Sequence, residues 1–105
     1  MNLEEYRDYS LSLPATTEDF PFDEKTLVFK VCGKMFAATN VDEFTSFNLK
    51  CNPEYAIELR EQFPAVRAGY HMSKKHWNTI EFEGGQSDSF LCEMVAHSYV
   101  LVVLK

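Results

Sequence analysis

The amino-acid sequence predicts an α+β protein with a single domain, residues 1–105. Helical patterns occur near the start, in the middle and at the end of the chain, and short β-rich runs lie between them. Hydrophobic residues make up 46% of the 105 residues, which is enough to build one buried core. Aromatic residues reach 14%, a composition typical of a globular chain and not of a disordered one.

The first predicted elements are a helix and a short extended segment. Residues 2–13 place apolar side chains on one helical face, with Asn2 as the cap and Pro14 as the stop. Residues 17–22 predict an edge strand or an extended loop, because Pro21 has no backbone N–H to donate to a neighbouring strand.

Three strands are predicted next in the chain. Residues 27–31 and 34–39 are two β-rich runs separated by Cys32-Gly33, and a two-residue gap with Gly in second place is typical of a hairpin. Residues 45–50 predict a third strand, in which alternate side chains point into the core.

The second half of the chain predicts two helices around a pair of strands. Asn52 caps a helix over residues 53–63, with a proline at its first position. Two short strands follow, over residues 66–71 and 76–82. Ser87 then caps the last helix.

The stretch from Pro64 to Ile80 stands out by its composition. It holds the only Trp, two of the three His and three of the ten Lys and Arg residues, with no acidic residue. If these aromatic and cationic side chains were exposed, they would form a surface that stacks on bases and contacts phosphates. The alternative is a strand–turn–strand segment whose lysines keep the protein soluble while Trp77 packs in the core. For Trp77 itself, we expect the ring to pack against the last helix.

Cations are concentrated in the strand segments of an otherwise acidic chain. Segments 25–50 and 62–80 contain seven cations against two acids, although the net charge of the chain is −6. These cations are Lys25, Lys30, Lys34, Lys50, Arg67, Lys74 and Lys75. If helices cover one face of the sheet, the other face would be basic, with Val28 and Phe36 exposed among the lysines. Lysines that only keep the sheet soluble and protect its edges are the alternative.

The run from Gly69 to Thr79 resembles the signature of the MmcQ/YjbR family. Residues 17–22, 27–37, 48–54 and 97–99 resemble that family in the same order. The resemblance implies a curved antiparallel sheet with helices packed on one face, a double-wing arrangement similar in outline to frataxin. It also implies DNA binding. The departures from the family pattern are Cys32, Ala68 and Ser73.

These observations predict weak, largely sequence-independent DNA binding through a basic sheet face and the 67–77 loop. Lysine contacts to phosphates position a protein without reading bases. The predicted nucleic-acid-binding residues are Lys30, Lys34, Lys50, Arg67, Lys74, Lys75, His76 and Trp77. A protein-interaction or regulatory module that uses the same surface is the alternative, because the net charge of −6 opposes avid binding of nucleic acid.

Other functional classes lack support in the sequence. No phosphate-binding glycine loop, nucleophile elbow or zinc-protease motif is present, so we expect no enzyme activity and no cofactor. Three cysteines without ligand spacing predict reduced thiols and no metal site, and we assign no metal to His71 and His76. No apolar run is long enough to span a bilayer and no signal peptide is present. We therefore expect a cytoplasmic protein, and as a separate expectation we take it to be a monomer.

Overall fold

The computed structural model describes residues 1–69 and 72–104 of the chain. Three helices and six strands are formed within these two ranges. In chain order they are α1 (Leu3–Ser12), β1 (Thr17–Asp19), β2 (Thr26–Val31), β3 (Lys34–Asn40), β4 (Ser46–Lys50), α2 (Pro53–Gln62), β5 (Val66–Ala68), β6 (Trp77–Glu81) and α3 (Asp88–Val103).

The six strands form one open antiparallel sheet in the order β1-β2-β3-β4-β6-β5. Helix α3 packs on β2, β3 and β4, and α2 packs on β5 and β6. The predicted α+β fold, an antiparallel sheet with helices on one face, is therefore confirmed. No helix in the described ranges is long and apolar enough to cross a membrane.

Each helix begins where a side chain satisfies free backbone N–H groups. Asn2 forms a capping box with Glu5, Asn52 accepts from two N–H groups of the first turn of α2, and Ser87 accepts from the N–H of Phe90. The predicted caps are therefore confirmed. The predicted strand 66–71 ends at Ala68, and its last two residues lie outside the described ranges.

The first helix is held to the sheet by an aromatic cluster. Tyr6 is fully buried, and its ring centroid lies 5.5 Å from that of Phe29, 5.1 Å from Phe47 and 5.6 Å from Phe82. Phe44 stacks on Phe82 at 3.9 Å. Such offset and edge-to-face pairs add to the free energy gained by burying the rings.

A bulge in the hairpin changes which side chains share a face. The β2–β3 register shifts between Phe29 and Lys30, so that Phe29 pairs with Ala37 while Lys30 pairs with Met35. The extra residue, Phe36, is fully buried and its ring lies 5.4 Å from that of Tyr99 in α3. The expectation of an exposed Phe36 is wrong for this reason.

The face away from the helices, here called the outer face, is only partly open. Pairing and alternation place Val28, Ala38 and Asn48 next to one another on that face. Val28 and Ala38 are nevertheless fully buried. The expectation that Val28 would be exposed among lysines is therefore also wrong.

The antiparallel register gives the sheet two chemically different ends. The pairs Val31–Lys34 and Lys50–Trp77 mark one of them, here called the hairpin end, together with the turn that precedes Trp77. The pairs Thr26–Asn40 and Ser46–Glu81 mark the far end. The charged residues described below differ between these two ends.

Candidate nucleic-acid interface

The charges of the sheet are separated along the strands and not between its two faces. The lysines near the hairpin end are Lys30, Lys34, Lys50, Lys74 and Lys75. The acids at the far end and in its connecting turns are Asp23, Glu24, Asp42, Glu43, Glu81 and Glu83. The expected basic face is thus a basic end, because the lysines lie at strand ends and in the turn at one end of the sheet, whereas the acids lie mostly in turns at the other end.

Several of the predicted cations are neutralised by neighbouring carboxylates. Lys30 Nζ lies 3.8 Å from Asp19 Oδ2 on the adjacent edge strand. Arg67 forms an ion pair with Glu81, which turns its guanidinium towards the far end. The structure therefore does not bring Arg67 together with the predicted lysines.

Four lysines form no ion pair with any residue in the described ranges: Lys34, Lys50, Lys74 and Lys75. Lys34 pairs with the core-facing Val31, so the register places it on the helix-covered face. Lys50, Lys74 and Lys75 lie together where β4 ends and β6 begins. These three residues, with His76, are called the basic cluster below.

Backbone hydrogen bonds join the basic cluster into one unit. The N–H groups of His76 and Trp77 donate to the carbonyl of Ser73, at 3.2 and 2.9 Å, and close the turn. The N–H of Cys51 donates to the carbonyl of His76 at 2.8 Å. Lys74 and Lys75 are exposed at the tip, whereas His76 is half-buried beneath them. The turn is therefore attached directly to the end of β4, beside Lys50.

Arg60 of α2 supports the same turn from the helix layer. Its Nε donates to Oδ1 of Asn78 at 2.6 Å, and its Nη2 donates to the carbonyls of Trp77, at 3.2 Å, and Lys74. Asn78 is almost fully buried. Sequence reasoning missed Arg60, because the residue lies in a helix 14 positions before Lys74 and no local pattern connects the two.

Trp77 is buried and leaves little ring surface for stacking. Its exposed fraction is 8%, and Asn78, the next residue, faces α2. Alternation in β6 therefore directs Trp77 to the outer face, and the expected packing against the last helix is wrong. Gly69 makes room for it, since a Cβ on Gly69 would lie 2.8 Å from the Trp77 Cβ. The neighbouring Tyr70 and His71 lie outside the described residues.

The outer face carries a groove that sequence reasoning did not predict. Its volume is about 470 Å³, and it lies between the loop that precedes β2 and the segment at Met72. The lining residues are Phe22, Asp23, Thr26, Met35, Thr39, Asn40, Asn48 and Met72. We call this hollow the outer groove.

One of the three cysteines, Cys51, is a buried and unreactive thiol. Cys32 is exposed at the hairpin tip, Cys92 is half-buried, and burial raises the pKa of the Cys51 thiol to about 11. A thiol with so high a pKa is not a thiolate at neutral pH and is a poor nucleophile. No group of three or more His, Cys, Asp or Glu side chains is placed to hold a metal ion in residues 1–69 and 72–104.

Comparison with known proteins agrees with this α+β architecture. The YjbR family model matches residues 11–101. The chain is 33% identical to the uncharacterized protein YbdF of Escherichia coli O157:H7 over 95 residues, covering 90% of this chain and 78% of that protein. It is 32% identical to the uncharacterized protein YjbR of Escherichia coli K12 over 100 residues, covering 94% and 85%.

Solved structures show the same fold. The crystal structure of Deinococcus radiodurans protein DR2400, with domain DUF419, superposes with a TM-score of 0.91 at 38% identity, covering 99% of this chain and 80% of that one. A crystal structure from Pseudomonas syringae superposes with a TM-score of 0.82 at 25% identity, covering 97% and 99%. The chain belongs to the YjbR family, and the resemblance found in its sequence is confirmed.

Proposed function

We propose that the protein binds nucleic acid weakly through the phosphates, with Lys50, Lys74 and Lys75 as the contacting cations. One observation carries this proposal: these three lysines have no acidic partner among the described residues and lie where β4 ends and β6 begins, at the end of the sheet opposite its acidic turns. A double-wing arrangement and the DNA-binding role implied by the family resemblance support the same class.

Electrostatics limit the affinity. A net charge of −6 opposes approach at long range, so that the local cations act only within about one Debye length, roughly 8–10 Å. Non-specific complexes of this kind have dissociation constants of about 10⁻⁴ to 10⁻⁶ M at physiological salt. Lysine contacts to phosphates also carry no sequence information, and binding would therefore be largely independent of base sequence. We place this role in the cytoplasm, as a monomer without cofactor or enzyme activity.

A pair of charge-matched variants tests the proposed function. Anisotropy of a labelled DNA at low salt would compare the wild type with Lys74→Gln/Lys75→Gln and with Lys25→Gln/Arg67→Gln. Both doubles remove two positive charges, but Lys25 and Arg67 are already paired with Asp42 and Glu81. We expect a loss of affinity of at least tenfold in the first double and little change in the second. Equal losses of affinity in the two double variants would show that only net charge matters, and would contradict a binding role specific to Lys74 and Lys75.

A second candidate, docking of a protein partner, is favoured by one feature. Phe20 and Phe22, in the loop before β2, are 45% and 68% exposed. Large exposed apolar side chains in one loop are typical of surfaces that a partner covers. A protein partner would cover both phenylalanines, and its affinity would depend little on salt.

A further inference from the structure

The outer groove begins beside the basic cluster and differs from it in chemistry. Lys50 and Asn48 lie on the same face of β4, two residues and so about 7 Å apart. Asn48 lines the groove, whereas Lys50 does not. Among the residues that the structure describes, no lysine or arginine contributes to the lining, which consists of hydroxyl, amide, methionine and phenyl groups apart from Asp23.

Two amides of the groove are fixed by hydrogen bonds through their oxygens. Asn48 Oδ1 accepts from the hydroxyl of Thr79. Asn40 Oδ1 accepts from the N–H groups of Asp42 and Glu43, at 2.9 and 3.1 Å. With the oxygens engaged, each side chain presents its NH₂ group as a donor. Amide donors suit the carbonyl and ring-nitrogen acceptors on the edge of a nucleobase.

The far wall of the groove excludes phosphate. Asp23 is part of the lining, and hydrogen bonds from the N–H groups of Lys25 and Thr26 hold its pKa below the usual range, so that it is charged at neutral pH. Glu43 and Arg67 line a smaller hollow that shares Thr39, Asn40 and Asn48 with the groove, and Arg67 is paired with Glu81. An anion would therefore be repelled from the groove and attracted to the basic cluster, whose Lys50 lies about 7 Å from Asn48 along β4.

We propose, resting on the nucleic-acid function above, that the preferred ligand is a single strand, whose unpaired bases enter the outer groove while its phosphates contact Lys50, Lys74 and Lys75. Neutral polar groups together with Phe22, Met35 and Met72 match the edge and the faces of a base. Bases of an intact duplex are stacked in its interior and do not reach such a groove without being flipped out. The phosphate of a nucleotide would thus contact the basic cluster, and its base would enter the outer groove.

The test compares probes that carry equal phosphate charge but differ in accessible bases. Anisotropy at low salt would measure binding of a labelled thymidine oligomer, an abasic oligomer of the same length, and a duplex with half as many base pairs, so that all three probes carry about the same number of phosphates. The protein would be used as wild type, Phe22→Ala and Phe20→Ala. Phe22 lines the groove and Phe20 does not, although both are exposed in one loop. Neither substitution removes buried core, so both variants should fold.

We expect the thymidine oligomer to bind about tenfold more tightly than the abasic oligomer and the duplex, an advantage that Phe22→Ala removes and Phe20→Ala retains. Equal affinity for the three probes would overturn base insertion while leaving phosphate binding intact. No binding of any probe would overturn the nucleic-acid function as well. Equal effects of the two phenylalanine variants would also overturn base insertion.

Discussion

Arg60 and Asn78 are joined by a hydrogen bond of 2.6 Å between Nε and Oδ1, which links α2 to the strand that follows the lysine turn. The same guanidinium donates to the carbonyls of Lys74 and Trp77. Asn78 in turn donates from Nδ2 to the carbonyl of Ala56 at 3.4 Å. The position of the basic cluster thus depends on a helix residue that does not belong to the cluster.

Arg60→Met should lower the free energy of unfolding by about 1–3 kcal/mol, because it leaves the buried Oδ1 of Asn78 without its donor. Urea denaturation would measure the change. Arg7→Met is the matched control, since Arg7 forms a surface ion pair with Glu18 and its loss should cost under about 1 kcal/mol. Equal effects of the two substitutions would show that the Arg60 hydrogen bonds contribute little.

Ser98→Ala should lower the free energy of unfolding by about 1–3 kcal/mol. The Ser98 hydroxyl is fully buried, donates to the carbonyl of Phe36 at 2.5 Å and accepts from the N–H of Lys50 at 2.9 Å. It therefore joins the bulge of β3 to the end of β4, and both backbone groups would lose a partner. The control is Ser89→Ala, an exposed serine of the same helix, for which denaturation should show a change within about 0.5 kcal/mol.

Tyr6→Phe should raise the free energy of unfolding by about 1 kcal/mol. The Tyr6 hydroxyl is buried without a hydrogen-bond partner among the described residues, and burying an unpaired polar group is costly. Tyr99→Phe should act in the opposite direction, because the Tyr99 hydroxyl donates to the carbonyl of Pro14. Thermal and urea unfolding of both variants would check this, and a clear loss of stability in Tyr6→Phe would contradict it.

Stability should fall as the pH drops below about 6.5, in part because of His97. Burial lowers the pKa of His97 in the folded protein, whereas the unfolded chain has the ordinary value of about 6.5. The unfolded state then binds the proton more readily than the folded state. The contribution of His97 to the free energy of unfolding is therefore greatest above about pH 6.5, and it decreases as the pH falls from about 6.5 through the pKa of His97 in the folded protein. Protonation would also remove Nε2 as the acceptor for the N–H of Asn52, 3.5 Å away.

Urea unfolding at pH 7.5 and pH 5.5 would measure this dependence. His97→Gln keeps an acceptor but cannot titrate, and the variant should lose less stability than the wild type between the two pH values. An identical loss in both proteins would assign the pH dependence to other groups.

Local patterns were enough to predict most elements of this fold. The three caps, Asn2, Asn52 and Ser87, act through side chains at most three residues from the N–H groups that they satisfy. The two-residue gap at Cys32-Gly33 was sufficient to predict the hairpin, and both residues have positive φ angles, 54° and 72°. Helix caps and tight turns can therefore be predicted from residues that are adjacent or nearly adjacent in the sequence.

The candidate site could be predicted only in part. Lys74, Lys75 and His76 were visible as a local run, and Lys50 joins them only through the β4–β6 pairing, in which Lys50 is paired with Trp77, 27 positions later in the chain. Phe36 is buried because the strand register shifts at the bulge, and a simple alternation of inward and outward side chains does not predict such a shift. The separation of charge between two sheet ends likewise requires the strand order, which no local pattern specifies.

The salt dependence of DNA binding tests the basic cluster most directly. With three or four phosphates of a duplex probe neutralised, the logarithm of the association constant should fall against the logarithm of salt concentration with a slope of roughly −3. Lys74→Glu/Lys75→Glu should abolish binding without unfolding the protein, because both residues are exposed. A slope near zero, or a double variant that binds as well as the wild type, would contradict phosphate binding by this cluster.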